Sequence, residues 1–80
     1  MPEELKNGTK AVGFKETRRA VLTGKAQRVY LARNADPAIT EPIESLCKQL
    51  GVGYAWAKSM QDLGTACGIE VGAAAAATLN

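Results

Sequence analysis

The stretch Ile69-Glu70-Val71-Gly72-Ala73-Ala74-Ala75-Ala76-Ala77-Thr78-Leu79 admits two readings, and the choice between them decides the fold. Five consecutive alanines favour a helix on intrinsic propensity. Val71 and Gly72 oppose one. The chain upstream alternates short apolar runs with helical patterns, and that alternation asks for a final strand. As a strand, the segment completes a βαβαβαβ order. Strands alternating with helices imply a three-layer α/β/α sandwich, and small side chains on the last strand let helices pack close.

Moving upstream, Leu63 to Cys67 reads as a brief helix ended by Gly68, after a polar connection from Lys58 to Asp62. Tyr54-Ala55-Trp56-Ala57 is a short strand. Ile43, Leu46, Cys47 and Leu50 recur at i, i+3, i+4 and i+7, the stripe of a core-facing helix. Thr40 caps that helix, Glu41 and Pro42 lie in its first turn, and Gly51 stops it. Asn34-Ala35-Asp36-Pro37 is a turn. Val29-Tyr30-Leu31-Ala32 is a continuous apolar run, as expected for a strand covered on both faces. Lys15 to Thr23 forms a helix with Gly24 beyond its end. Thr17, Ala20, Val21 and Gly24 share one face of it, and Lys15, Arg18, Arg19 and Leu22 share the other. Ala11-Val12 is a short strand, and Pro2 to Leu5 suits a short first helix ended by Gly8. Eighty residues without a repeat or linker make one domain, residues 1–80.

Charge is unevenly distributed. Lys6 to Arg33 holds eight cations and one anion, Glu16, whereas Asn34 to Asn80 holds two cations and five anions. Such segregation marks a polyanion-binding face, although a solvated basic surface accounts for the charge alone. Cys47 and Cys67 sit in apolar contexts and read as buried free thiols. With no histidine in the chain, two thiols do not complete a four-ligand zinc site, and no cofactor is expected. The start, Met1-Pro2-Glu3-Glu4-Leu5, is acidic and is no signal peptide. No window approaches the ~20 apolar residues of a membrane span. The expected location is the cytoplasm.

The chemistry concentrates in Gly13-Phe14-Lys15-Glu16-Thr17-Arg18-Arg19. The first N–H groups of a helix lack partners within it, and with the macrodipole they attract phosphate. Lys15, Arg18 and Arg19 add three cations. A site for phosphate alone gains nothing from Glu16, but a carboxylate accepts hydrogen bonds from nucleobase N–H groups. The turn therefore reads as an RNA-binding element, against the plainer role of Glu16 as an acid that stabilises a helix start.

Leu63-Gly64-Thr65-Ala66-Cys67-Gly68-Ile69-Glu70-Val71-Gly72-Ala73-Ala74 resembles the L-G-x-A-x-G-I-E-V-x-A-A signature of the ribosomal protein L7Ae/L30e family, above all its small bacterial kink-turn RNA-binding members. Gly13 to Arg19 stands where that family has G-x-N-E-x-x-K. Ala35-Asp36-Pro37 and Leu46-Cys47 also fall in register, so the resemblance runs from about Leu5 to Leu79. It implies an α/β/α sandwich with a four-stranded mixed sheet and two RNA-contacting loops side by side, Gly13 to Arg19 and Ala57 to Leu63. It implies that Glu16 contacts bases and that Arg19 takes the place of the family lysine. Lys15 stands where archaeal members have asparagine, which favours a phosphate or base-edge role for its ammonium.

The resulting expectation is a non-catalytic, monomeric protein that binds structured RNA containing a kink-turn, with the ribosome as a further partner. Its RNA-binding residues are Gly13, Phe14, Lys15, Glu16, Arg18, Arg19, Arg33, Ala57, Lys58, Ser59, Met60 and Leu63. Glu16 would accept from guanine N1–H and N2–H, and Arg19 would donate to O6, N7 or phosphate. Arg18 and Lys10 would lie on the backbone. Ala57 to Met60 offers apolar surface to an expelled base, whereas Trp56 and Tyr30 are expected in the core. The alternative is a protein-interaction module that uses the same basic face for acidic partners. The lack of histidine and of any dinucleotide or P-loop fingerprint argues against an enzyme.

Overall fold

The computed structural model describes Leu5 and residues 8–80. Strand β1 (Lys10–Val12) leads into helix α1 (Phe14–Leu22), and β2 (Ala26–Ala32) into α2 (Pro37–Leu50). Strand β3 (Gly53–Ala57), helix α3 (Met60–Ala66) and β4 (Ala75–Leu79) follow. The first-helix expectation over Pro2 to Leu5 lies outside the described residues, except that Leu5 is buried. The strands form one mixed sheet in the order β1-β4-β2-β3. β4 runs antiparallel to both β1 and β2, and β3 runs parallel to β2. No helix among the described residues is long and apolar enough to cross a membrane.

Register decides the two cores. Ala11, Ala77, Val29 and Tyr54 stand opposite one another across the four strands, as do Val12, Ala76, Tyr30 and Ala55. Successive side chains of a strand point to opposite faces. The first row therefore joins Ala20 and Val21 of α1 and Ile43 and Cys47 of α2 in one cluster. The second joins Leu63 of α3, Cys67 and Leu5 in the other. This is the three-layer sandwich. Its alanine segment is the strand inserted between β1 and β2, with Ala75, Ala76 and Ala77 fully buried.

Several expectations need correction. Helix α2 starts three residues earlier than Thr40: Asp36 caps it, its carboxylate accepting from the Ala38 N–H at 2.9 Å, and Pro37 occupies the first helical position. Asp36-Pro37 satisfies the N-cap and N1 preferences as well as a turn does. Thr40 is instead a buried interior residue, and Pro42 is tolerated inside the helix. Leu50 is 53 % exposed, because the last turn of α2 runs past the surface that covers Ile43 and Cys47. Helix α3 begins at Met60, not Leu63, because Ser59 caps it by accepting from the Asp62 N–H at 3.0 Å. Ser59 and Asp62 carry the Ser-x-x-acid spacing of a capping box. Trp56 lies on the edge strand and is exposed, whereas Tyr30 is in the core as expected.

Candidate nucleic-acid interface

At the start of α1 the chain makes a turn that only glycine accommodates without strain. Gly13 is the N-cap at φ 96°, ψ 158°, and no side chain caps the helix. The Gly13 carbonyl accepts from the Thr17 N–H at 3.0 Å, the first bond of the helix. The N–H groups of Phe14, Lys15 and Glu16 precede that bond and so have no partner within the helix. Phe14, Lys15, Glu16, Arg18 and Arg19 are all exposed. They line a groove that continues to Leu22 and Thr23. Glu16 and Arg19 also line a second groove against the β1 edge, with Lys10 and Lys25. They therefore stand on the ridge between two concave cationic surfaces. Among the described residues no carboxylate engages Lys15, Arg18 or Arg19, so their charge is available to an outside anion.

The opposite face of the helix explains why this face points outward. Thr17, Ala20 and Val21 are buried, at spacings of three and four, and this fixes the rotation of α1 about its axis. Lys15, Arg18, Arg19 and Leu22 are left in solvent.

The second loop is joined to the first through the backbone. The Gly13 N–H donates to the Ala75 carbonyl at 2.9 Å, and the Ala32 N–H to the Ala74 carbonyl at 2.9 Å. The Ala73 N–H donates to the Met60 carbonyl at 3.0 Å, and the Arg33 N–H to the Ala57 carbonyl at 3.0 Å. Asn34 closes the set, its Oδ1 accepting from the Met60 N–H at 2.8 Å. Residues 73–75 thus hold the start of α1 and the start of α3 at one end of the sheet. Lys58 and Arg33 are exposed there, and Ser59 and Met60 are half-buried.

Two residues expected at this surface are not on it. Leu63 is completely buried and Ala57 nearly so, their side chains packed in the cluster beneath α3. Each is the inward-facing member of its element, so the loop offers the neighbours of Ala57 rather than its methyl group. The sequence reading missed Asn34, seen only as part of a turn, because its partner lies 26 residues away. It named Gly64 within the family signature but not the contact that requires it. A Cβ there would overlap the Val71 carbonyl oxygen, so glycine is what lets α3 lie against the segment leading to β4. The Gly64 carbonyl accepts from the Ile69 N–H at 3.0 Å in the same contact.

The thiols take no part in this surface. Cys47 and Cys67 are free and buried, in clusters on opposite faces of the sheet. Burial pushes both thiols up from their ordinary value; the Glu44 carboxylate adds to the effect at Cys47, and Lys10 partly offsets it at Cys67.

Fold and surface together define a small α/β/α sandwich that presents a bare, cationic helix start at one end of its sheet. The chain belongs to the ribosomal protein L7Ae/L30e/S12e/Gadd45 family, which matches it over residues 1–80. It is 43 % identical over 75 residues to a protein of Geobacillus sp. strain WCH70 named as an RNA-binding protein, covering 94 % of this chain and 92 % of that one. It is 40 % identical over 75 residues to RNA-binding protein YbxF of Geobacillus stearothermophilus, with the same coverage. Among solved structures it resembles the Giardia lamblia 15.5kD RNA binding protein, with a TM-score of 0.83 and 32 % identity. That match covers 89 % of this chain and 60 % of the longer Giardia chain.

Proposed function

We propose that this protein binds structured RNA without catalysis, and that it recognises and stabilises a kink-turn. One observation carries the reading: Glu16 and Arg19 share an exposed ridge directly after an uncapped helix start. Cations and free N–H groups suit phosphate, but a carboxylate among them repels it. The arrangement gains from an anion whose neighbour also donates hydrogen bonds, which is what a guanine edge beside a phosphate supplies. Lys15 and Arg18 neutralise backbone phosphates, and Arg33 and Lys58 do so at the second loop. The names of the relatives support RNA as the partner. The ribosome is one place where such an RNA would be met.

The two loops are held at a fixed separation, so both touch RNA at once only when the RNA is bent between them. A ligand shifts a conformational equilibrium by its differential affinity for the two forms, and simultaneous contact supplies that difference. A kink-turn RNA carrying a dye on each arm tests this without magnesium. Energy transfer is expected to rise with protein concentration and saturate. Glu16→Ala is expected to weaken kink-turn binding by ~1–3 kcal/mol, and Arg18→Ala to weaken kink-turn and plain duplex about equally. If Glu16→Ala binds the kink-turn as tightly as the parent, the base-reading role is wrong. A gel shift with no rise in transfer removes the bending mechanism.

A further inference from the structure

At the sheet edge farthest from β1, a groove runs between β3 and α3. Trp56 and Lys58 line one side, and Asp62, Thr65 and Ala66 line the other. Trp56 is the only tryptophan in the chain and is 36 % exposed. Neither hydrophobic cluster includes it. Lys58, Asp62 and Thr65 are exposed around it, and none of their side chains is hydrogen-bonded or ion-paired to another described residue. The groove therefore combines an aromatic surface, an ammonium, a carboxylate and a hydroxyl, none of them occupied by the fold.

We propose that this groove binds one unpaired nucleotide of RNA, its base stacked on the Trp56 indole. Single-stranded RNA is held by aromatic faces interleaved with cations, because every base has a π-face and every linkage a phosphate. Lys58 neutralises the phosphate. The Asp62 carboxylate, which only accepts, takes a base N–H or the ribose 2′-hydroxyl. Lys58 also belongs to the second loop, so a strand leaving that loop passes over Trp56. Helix α1, which carries Glu16 and Arg19, packs on one face of the sheet and α3 on the other, so this groove is a surface separate from the Glu16 and Arg19 ridge. The proposal rests on the RNA-binding reading above and adds a second class of RNA feature, an unpaired residue next to the kink-turn.

The single tryptophan serves as its own reporter. A single-stranded oligoribonucleotide titrated into the protein is expected to quench Trp56 emission to saturation, and Lys58→Gln to weaken that effect several-fold. Inorganic polyphosphate is expected to leave the emission unchanged. In a second arm, kink-turn RNA with blunt ends is compared with the same RNA carrying a short unpaired extension on either arm. The extension is expected to tighten binding roughly tenfold or more, the scale of one stacked base. Trp56→Leu is expected to abolish that gain and leave blunt-ended affinity unchanged. Absence of quenching, equal quenching by polyphosphate, or a gain that survives Trp56→Leu overturns the proposal. The two readings fail separately. Blunt RNA that binds without any oligoribonucleotide quenching removes this site alone. Oligoribonucleotide quenching without blunt kink-turn binding removes the kink-turn reading and keeps this site.

Discussion

Replacing Gly64 with alanine sets two physical effects against each other. Gly64 lies inside α3, and alanine in a helix interior is favoured over glycine by ~1 kcal/mol. Propensity alone therefore expects a more stable protein. The new Cβ, however, would overlap the Val71 carbonyl oxygen and come within 3.1 Å of its carbon and 3.2 Å of the Gly72 Cα. All three are backbone atoms, so no side-chain rotation relieves the contact. Overpacking of this kind costs ~1–3 kcal/mol. Moving the segment aside also strains the Ile69–Gly64 and Ala73–Met60 backbone bonds, both 3.0 Å, each contributing ~0.5–1.5 kcal/mol. The net expectation is a loss of ~1–4 kcal/mol. A chain of this length has ~4–12 kcal/mol in total. Thermal unfolding followed by circular dichroism should show Tm lower by roughly 4–8 °C for each kcal/mol lost. Gly53→Ala is the control, since nothing lies within 4 Å of its added Cβ, and it should stay within ~0.5 kcal/mol of the parent. A Gly64→Ala protein that melts at or above the parent temperature would refute the reasoning.

Three further outcomes are expected. Asn34→Ala removes the acceptor of the Met60 N–H, so stability should fall by at most ~1 kcal/mol while kink-turn affinity, measured by calorimetry, drops several-fold; unchanged affinity would mean the second loop needs no tether. Thr17 is fully buried with its Oγ1 unpartnered, so Thr17→Val should raise the urea midpoint by the equivalent of ~1 kcal/mol, and a lowered midpoint would contradict this. The Cys47 and Cys67 thiols titrate above their ordinary value of 9.0 in the folded protein, so the stability they contribute is present below that pH and lost as pH rises through and beyond it. Tyr54, raised chiefly by donating to Glu44 at 2.9 Å, acts with the same sign. The urea midpoint should therefore fall between pH ~8 and ~10.5, and a flat profile would exclude it.

Local signals in the sequence determined much of the helical layer. The spacing of Thr17, Ala20 and Val21 set which side of α1 is buried and so which cations face solvent. Ile43 and Cys47 did the same for α2, and Gly24 and Gly51 marked where the helices stop. Glu16 among three cations was legible because it breaks a phosphate pattern within a single turn. The caps of α2 and α3 were written in Asp36-Pro37 and Ser59-x-x-Asp62, yet the first competed with a turn reading and the second with a plain polar connection.

Tertiary structure alone decided the rest. Ala75 to Ala77 would favour a helix by themselves; they are a strand because β1 and β2 pair with both of its edges and two cores cover both of its faces. Their small volume suits a central strand between helices, a condition set by residues distant in the chain. The link from Asn34 to Met60 and the close approach of Gly64 to Val71 likewise join segments that no local pattern connects. Trp56 and Leu50 bear core residue types, but their exposure depends on where the sheet and α2 end. Periodicity reports which side of an element is apolar, whereas burial depends on whether another part of the chain arrives to cover it.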